Sequence, residues 1–158
     1  DLHSFPTRRS SDLLSSGLLE GKEVTWMPAY GPEQRGGTAN VTVQISDKKI
    51  SSPILKFYDI AIVLNQPSMD KFEERVKPGG ILIYDSNGMT RKPNRKDISV
   101  YRIDATDKAL EMGAQKTFNM IVVGGLLKAD PMVKTENVML ALKKSLPERH
   151  HKLLPAKT

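Results

Sequence analysis

The chain contains no cysteine. A disulfide, a thiolate nucleophile and a cysteine-ligated iron–sulfur cluster are therefore excluded on this polypeptide. The lack of cysteine fits a reducing compartment, so a cytoplasmic location is expected. Histidine is scarce: His3, His150 and His151 are all there is. The last two are adjacent and on a helix would point in different directions, which suits a surface or interface contact better than a metal pair. No metal-binding spacing, P-loop, nucleophile elbow or GDG…NN pattern of a thiamine diphosphate site occurs. No apolar run approaches the about 18 residues of a membrane span, so no membrane partner is expected. Aromatic residues make up 6% of the chain and do not interleave with its cations, which argues against nucleic acid. No 20–50-residue period repeats, so a solenoid is excluded. Taken alone, the chain is poorly equipped as an enzyme.

What is present suits one globular domain. The 158 residues are 39% hydrophobic and 27% charged, enough for a real core. The net charge of +6 favours acidic partners without choosing among them. The stretch Trp26–Asn40, WMPAYGPEQRGGTAN, lies between two apolar runs and mixes permissive glycines with side chains able to contact a ligand. It reads either as a long structural loop with a solvated arginine or as a contact loop, since loops of this length are uncommon unless functional or disordered.

Periodicity places strands at Glu23–Met27, Thr38–Ile45, Asp59–Leu64, Ile81–Tyr84 and Ile98–Ile103. A helix capped by Ser68 runs to Pro78–Gly79–Gly80, and strand, helix and strand in succession form a βαβ unit. Further helices follow at Asp104–Met112, Thr117–Lys128 and Thr135–Leu146, the last capped by Thr135 with Val138, Leu142 and Leu146 on one face. Gly124–Gly125 is expected to permit close helix packing. The run RKPNRK at Arg91–Lys96 suits a solvated loop better than a phosphate site. Asp59 and Asp85 fall at opposite ends of their strands and form no carboxylate pair.

The run EVTWMPAYGPEQRGGTANVTVQIS closely resembles the gamma subunit or domain of the 2-oxoacid:ferredoxin oxidoreductases. SSPI at Ser51–Ile54, LNQPSMDKFEERVKPGGILIYDS at Leu64–Ser86 and LPERHHKLLP at Leu146–Pro155 follow in the right order, and the resemblance covers about Gly17 to Pro155. It implies an α/β fold: a three-layer α/β/α Rossmann-like domain with a mainly parallel, mixed sheet. It also implies a complex that oxidatively decarboxylates a 2-oxo acid to acyl-CoA and passes electrons to ferredoxin. Thiamine diphosphate, magnesium and iron–sulfur clusters would sit on alpha, beta and delta partner chains, with none bound by this chain alone. The gamma domain is associated with the coenzyme A side. By that resemblance Tyr30, Glu33, Gln34, Arg35, Gly36, Gly37, Thr38 and Asn40 would face the active site, as would Asn65 and Gln66 at the carboxyl end of the DIAIVL strand. Arg35 suits a carboxylate or phosphate, since its fork bonds such groups bidentately. For Asn65 and Gln66, helix capping is an equal reading. SSPI, SMDKF and SLPERHHKLLP resemble the 2-oxoglutarate or branched-chain (ketoisovalerate) branch, and of the two 2-oxoglutarate is favoured.

Family members open with an apolar strand and a GxGGQG-type turn that this sequence does not show, so an incomplete gamma subunit with its first strand missing is expected. Residues 1–13, DLHSFPTRRSSDL, look like a translated sequencing adapter and are read as a non-native, disordered tail, with 14–158 as the gamma domain. Two alternatives remain: the small subunit of indolepyruvate ferredoxin oxidoreductase, and a stand-alone Rossmann-like nucleotide-binding module.

Overall fold

The computed structural model describes residues 5–29, 39–113 and 117–145. Contacts divide the chain into two compact units.

The first unit holds α1 (Phe5–Leu19), β1 (Glu23–Ala29), β2 (Asn40–Ser46) and α5 (Thr135–Ser145). β1 and β2 form an antiparallel ribbon running from Glu23 opposite Ser46 to Ala29 opposite Asn40. A two-stranded ribbon is marginal by itself; here α1 covers it. Asp12, Leu13 and Ser16 are buried at helical spacing. The closest approach is at Gly17, where a Cβ would stand 2.8 Å from Val24 Cγ1. α1 ends in a Schellman motif: Gly21 takes φ 70°, its N–H donates to Leu18 O at 3.0 Å, and the Lys22 N–H donates to Gly17 O at 3.0 Å. The helix end then holds the start of α5. Glu20 Oε1 accepts the Lys134 N–H at 2.6 Å and Asn137 Nδ2 at 2.9 Å, and Lys22 Nζ donates to Met132 O at 2.9 Å. These bonds hold the Glu20 carboxyl below its ordinary range, the Asn137 bond most of all.

Two expectations change here. A structureless tail over 1–13 does not hold from Phe5 onward, because α1 starts there and Asp12 and Leu13 are buried. The stretch has no apolar stripe of its own, so the inner face appears only once the ribbon covers it. Thr135 is not the cap of α5: the helix begins at that residue, and the Lys134 carbonyl accepts from Asn137 and Val138.

The second unit holds β3 (Tyr58–Val63), α2 (Gln66–Phe72), a 3-10 turn (Glu73–Arg75), β4 (Val76–Asp85), β5 (Ser99–Ile103), α3 (Ala105–Glu111) and α4 (Phe118–Ala129). Its sheet is parallel, ordered β3-β4-β5, so the expected α/β class and βαβ unit are observed. Alternation along β4 separates the faces. Leu82 and Tyr84 join Ala61, Val63, Met69 and Val76 in a core under α2. Met69 and Leu82 are fully enclosed, and each such side chain contributes about 1.5–3 kcal/mol. Tyr58 adds an edge-on ring contact to Phe72, 6.0 Å between centroids. The register puts Ile83 and Ile103 on the opposite face, where α4 lies against β4 and β5. Helices thus cover both faces of this sheet.

Three local readings are corrected. Pro78–Gly79–Gly80 does not end a helix before a short strand; it lies within β4. Pairing steps from Tyr58↔Val76 to Ile60↔Ile81, so Lys77–Gly80 bulges out of the ladder. Gly80 is required there, because a Cβ would stand 2.7 Å from the Asp59 carbonyl oxygen. The cap of α2 is Asn65, not Ser68: Asn65 Oδ1 accepts the Ser68 N–H at 2.9 Å. Of the glycine pair only Gly125 meets a neighbour, Ile103; beside Gly124 there is open space. No described helix is long and apolar enough to cross a membrane.

Candidate functional site

Open parallel sheets place ligands beyond the carboxyl ends of their strands. Here those ends bring together Asn65 and Gln66 after β3, Asp85 and Ser86 at β4, and Asp104 and Thr106 after β5.

The connection from β4 to β5 crosses the sheet without a helix. Parallel connections usually carry one; residues 86–98 are instead held by charge. Glu73 is the anchor, with a side chain 3% exposed. One carboxylate oxygen accepts Arg91 Nη1 at 2.7 Å, and the other accepts the backbone N–H of Arg95 at 3.1 Å and of Asn94. Burial pushes this carboxyl up, but the Arg91 bond and the two N–H groups outweigh it and leave it below its ordinary value. Arg91 also grips Asp70, at 2.8 Å and 3.2 Å. Arg95 pairs with Asp97 and donates to the carbonyls of Glu73, at 3.1 Å, and Val76, at 2.8 Å. The Asp97 partner raises the Arg95 guanidinium further. Arg91 and Arg95 are therefore committed within the protein, which corrects the reading of the whole run as solvated; Lys92 and Lys96 are exposed.

Gln66 joins this connection. Its carbonyl accepts the N–H groups of Thr90, at 2.9 Å, and Arg91, at 3.3 Å, while its amide donates to Asp70 at 2.8 Å. On the other side Asp85, 2% exposed, accepts the Thr106 hydroxyl and the Asn87 N–H at 3.4 Å. Asp104 accepts Ser86 Oγ at 2.5 Å and Arg102 Nε at 2.8 Å, which hold its carboxyl low, the serine bond most. A groove of about 320 Å³ opens between these two sets, lined by Tyr84, Ser86, Met89, Thr90, Arg91, Lys92 and Arg102. Three of its lining residues, Arg91, Lys92 and Arg102, are cationic, and Arg91 and Arg102 are already paired with Glu73, Asp70 and Asp104.

Asn65 and Gln66 are thus brought to the groove side, one as a helix cap and one as a brace for the connection. Asn40 opens β2 in the other unit, paired with Ala29. Tyr30, Glu33, Gln34, Arg35, Gly36, Gly37 and Thr38 lie outside the described residues, as do His150, His151 and the LPERHHKLLP motif. Sequence reasoning missed Glu73 and Arg102. Nothing in DKFEERV distinguishes Glu73 from an ordinary helix-surface acid. For Arg102 a signal existed: it alternates with Tyr101 and Ile103 on a strand that ends beside Asp104.

The family described as Pyruvate ferredoxin/flavodoxin oxidoreductase matches residues 11–156. The chain belongs to this family. Among curated relatives, the ketoisovalerate oxidoreductase subunit VorA of Methanothermobacter thermautotrophicus is 36% identical over 115 residues, covering 73% of this chain and 24% of that one. The 2-oxoglutarate synthase subunit KorC of Methanocaldococcus jannaschii is 31% identical over 136 residues, covering 85% and 73%. The pyruvate/ketoisovalerate oxidoreductases common subunit gamma of Thermococcus kodakarensis is 30% identical, covering 84% and 76%. The chain therefore spans about a quarter of the length of the VorA relatives and about three quarters of the KorC and gamma relatives. The expected gamma-type membership is borne out. In fold, the chain resembles the gamma subunit of a keto/oxoacid ferredoxin oxidoreductase from Geobacter sulfurreducens, with a TM-score of 0.75, 24% identity and coverage of 92% and 82%. It also resembles 2-oxoglutarate:ferredoxin oxidoreductase from Magnetococcus marinus, with a TM-score of 0.77, 18% identity and coverage of 96% and 26%.

The sequence has no cysteine, and no group of three potential metal ligands occurs among the described residues. Without cysteine the chain cannot ligate a cluster through thiolates, and among the described residues the donors fit no metal.

Proposed function

We propose that the chain is the gamma subunit of a 2-oxoacid:ferredoxin oxidoreductase, inactive alone and acting within a complex that converts a 2-oxo acid and coenzyme A to acyl-CoA. The family match over residues 11–156 carries this reading. Alpha and beta chains, with a delta chain where present, would supply thiamine diphosphate, magnesium and the clusters, and ferredoxin would take the electrons. On this chain the loop residues Tyr30 and Glu33–Thr38, with Asn40, would face the shared site. Arg35 would bind a carboxylate or phosphate bidentately, and Gly36 and Gly37 would let backbone approach. Gln66 would support that face by fixing the connection after β4, and Asn65 by capping α2.

For the substrate we favour 2-oxoglutarate, one of the two branches that the SSPI and SMDKF motifs resemble. A branched-chain 2-oxo acid is the second reading, favoured by the 36% and 37% identity to two VorA subunits. The test is co-expression with the alpha and beta chains and assay of CoA-dependent viologen reduction with each 2-oxo acid. Arg35→Ala is expected to lower kcat/KM for coenzyme A at least about tenfold in an enzyme that still assembles, the loss of one charged bidentate contact. Unchanged kinetics would reduce the loop to an interface element.

A further inference from the structure

The turn after β4 carries a reactive pair. Ser86–Met89 reverses the chain: the Met89 N–H donates to the Ser86 carbonyl at 3.4 Å, and Gly88 takes φ 76°. Of the six asparagines, Asn40, Asn65, Asn87, Asn94, Asn119 and Asn137, only Asn87 precedes a glycine. Asn87 and Gly88 are both exposed, and a Cβ at Gly88 would meet nothing within 4 Å. The turn closes through Met89, and no hydrogen bond from the Gly88 N–H occurs among the described residues. The Asn87 side chain is held by one long, exposed contact, Nδ2 donating to Asp107 Oδ1 at 3.3 Å. That bond engages neither the Asn87 carbonyl carbon nor the Gly88 nitrogen. Elsewhere the N–H that follows an asparagine is taken: Arg95, after Asn94, donates to Glu73 at 3.1 Å, and Val138, after Asn137, donates to the Lys134 carbonyl at 3.2 Å.

We propose that Asn87–Gly88 is a modification site at which the chain converts itself. The Gly88 nitrogen attacks Cγ of Asn87. The new C–N bond closes a five-membered imide, the Cγ–Nδ2 bond breaks, and ammonia leaves with the amide proton. Water then opens the ring at either carbonyl and leaves an aspartyl or an isoaspartyl residue. Water enters and ammonia departs, with no oxidant or metal needed. The missing Cβ of Gly88 leaves the approach unobstructed. The consequence falls on the groove, since Ser86 and Met89 line it on either side of the pair. The product sets a carboxylate where a donor faced Asp107, close to Asp85, so attraction turns to repulsion. The isoaspartyl form also adds a carbon to the main chain, which opens the Ser86–Met89 bond. This chemistry is independent of the function proposed above.

Ageing the folded full chain in warm neutral buffer, followed by peptide mass spectrometry, tests this. The peptide holding Asn87 is expected to gain about 1 Da, the exchange of an amide for a hydroxyl, while those holding Asn94 and Asn137 stay unchanged. An isoaspartyl methyltransferase should label the same peptide. Asn87→Gln, which would have to close a six-membered ring, should abolish both signals. Circular dichroism over the time course shows that the chain stays folded. Asn87→Asp should make the amides of Ser86–Thr90 exchange at least about twofold faster than in the parent, the loss of one exposed hydrogen bond. An Asn87 peptide that keeps its mass in the folded chain, or gains it only after unfolding in urea, overturns the proposal. Conversion of Asn94 or Asn137 at the same rate overturns it too, and parental exchange in Asn87→Asp overturns the effect on the groove.

Discussion

Glu73→Ala should loosen the whole crossing between β4 and β5. The substitution removes the 2.7 Å bond to Arg91 and the acceptor of the Asn94 and Arg95 N–H groups. Hydrogen bonds to a charged group are worth about 1.5–3 kcal/mol each. The total is discounted because Arg91 is 33% exposed and keeps Asp70, which leaves about 3 kcal/mol. For a chain of this length that lowers Tm by about 6–12 °C. Glu73→Gln keeps an oxygen for the two N–H groups but loses the charge and the Arg91 bond, so it should cost less than Glu73→Ala, about 1–2 kcal/mol. Glu74→Ala, at an exposed neighbour, serves as the control. Thermal and urea unfolding followed by circular dichroism give the stabilities, and exchange of the amides at 90–96 shows where the loss falls. The reasoning fails if Glu73→Ala and Glu74→Ala agree within about 0.5 kcal/mol, the ordinary surface effect.

The same carboxylate gives a pH dependence. Its folded value lies below the ordinary 4.5, so the unfolded chain takes up the proton first as pH falls. Its stabilisation is therefore complete above about pH 5 and is lost as pH drops through the folded value; unfolding midpoints of Glu73→Gln should vary less over that window than those of the parent. Gly125→Val should destabilise by about 1–3 kcal/mol through its clash with Ile103, whereas Gly124→Ala, in open space, should stabilise by about 0.5–1 kcal/mol; urea midpoints distinguish them. Met69→Ala, at a fully enclosed position, should cost about 2–5 kcal/mol by the same measurement. Asn65→Ala should cost about 0.5–2 kcal/mol as a lost cap; a larger fall in activity than in stability would show a second role at the site.

The strands were legible because their signal is local. DIAIVL and ILIY are apolar runs of the right length, and both form the parallel core. Residues 99–103 alternate and pair where expected. The misreadings share a cause: each depends on contacts distant in sequence. Pro78–Gly79–Gly80 reads as a stop until Asp59, its neighbour across the ladder, shows why a glycine must lie in β4. Residues 5–13 look structureless until the ribbon buries Asp12 and Leu13. RKPNRK reads as solvated because nothing within the run shows that Arg91 will meet Glu73, 18 positions earlier. At the candidate site, Asn65 and Gln66 were found from their place after a strand, which topology makes meaningful. Arg102 was not, since its value depends on a groove built by Tyr84 and Met89 from elsewhere in the chain.

The central claim is that this chain completes a 2-oxoacid:ferredoxin oxidoreductase. The most direct measurement is reconstitution with and without it: alpha and beta chains purified together, coenzyme A and a 2-oxo acid supplied, and viologen reduction followed as this chain is titrated in. The account predicts activity that rises with the chain and saturates at a fixed ratio to its partners. Activity independent of the chain, or no association with either partner, would contradict it.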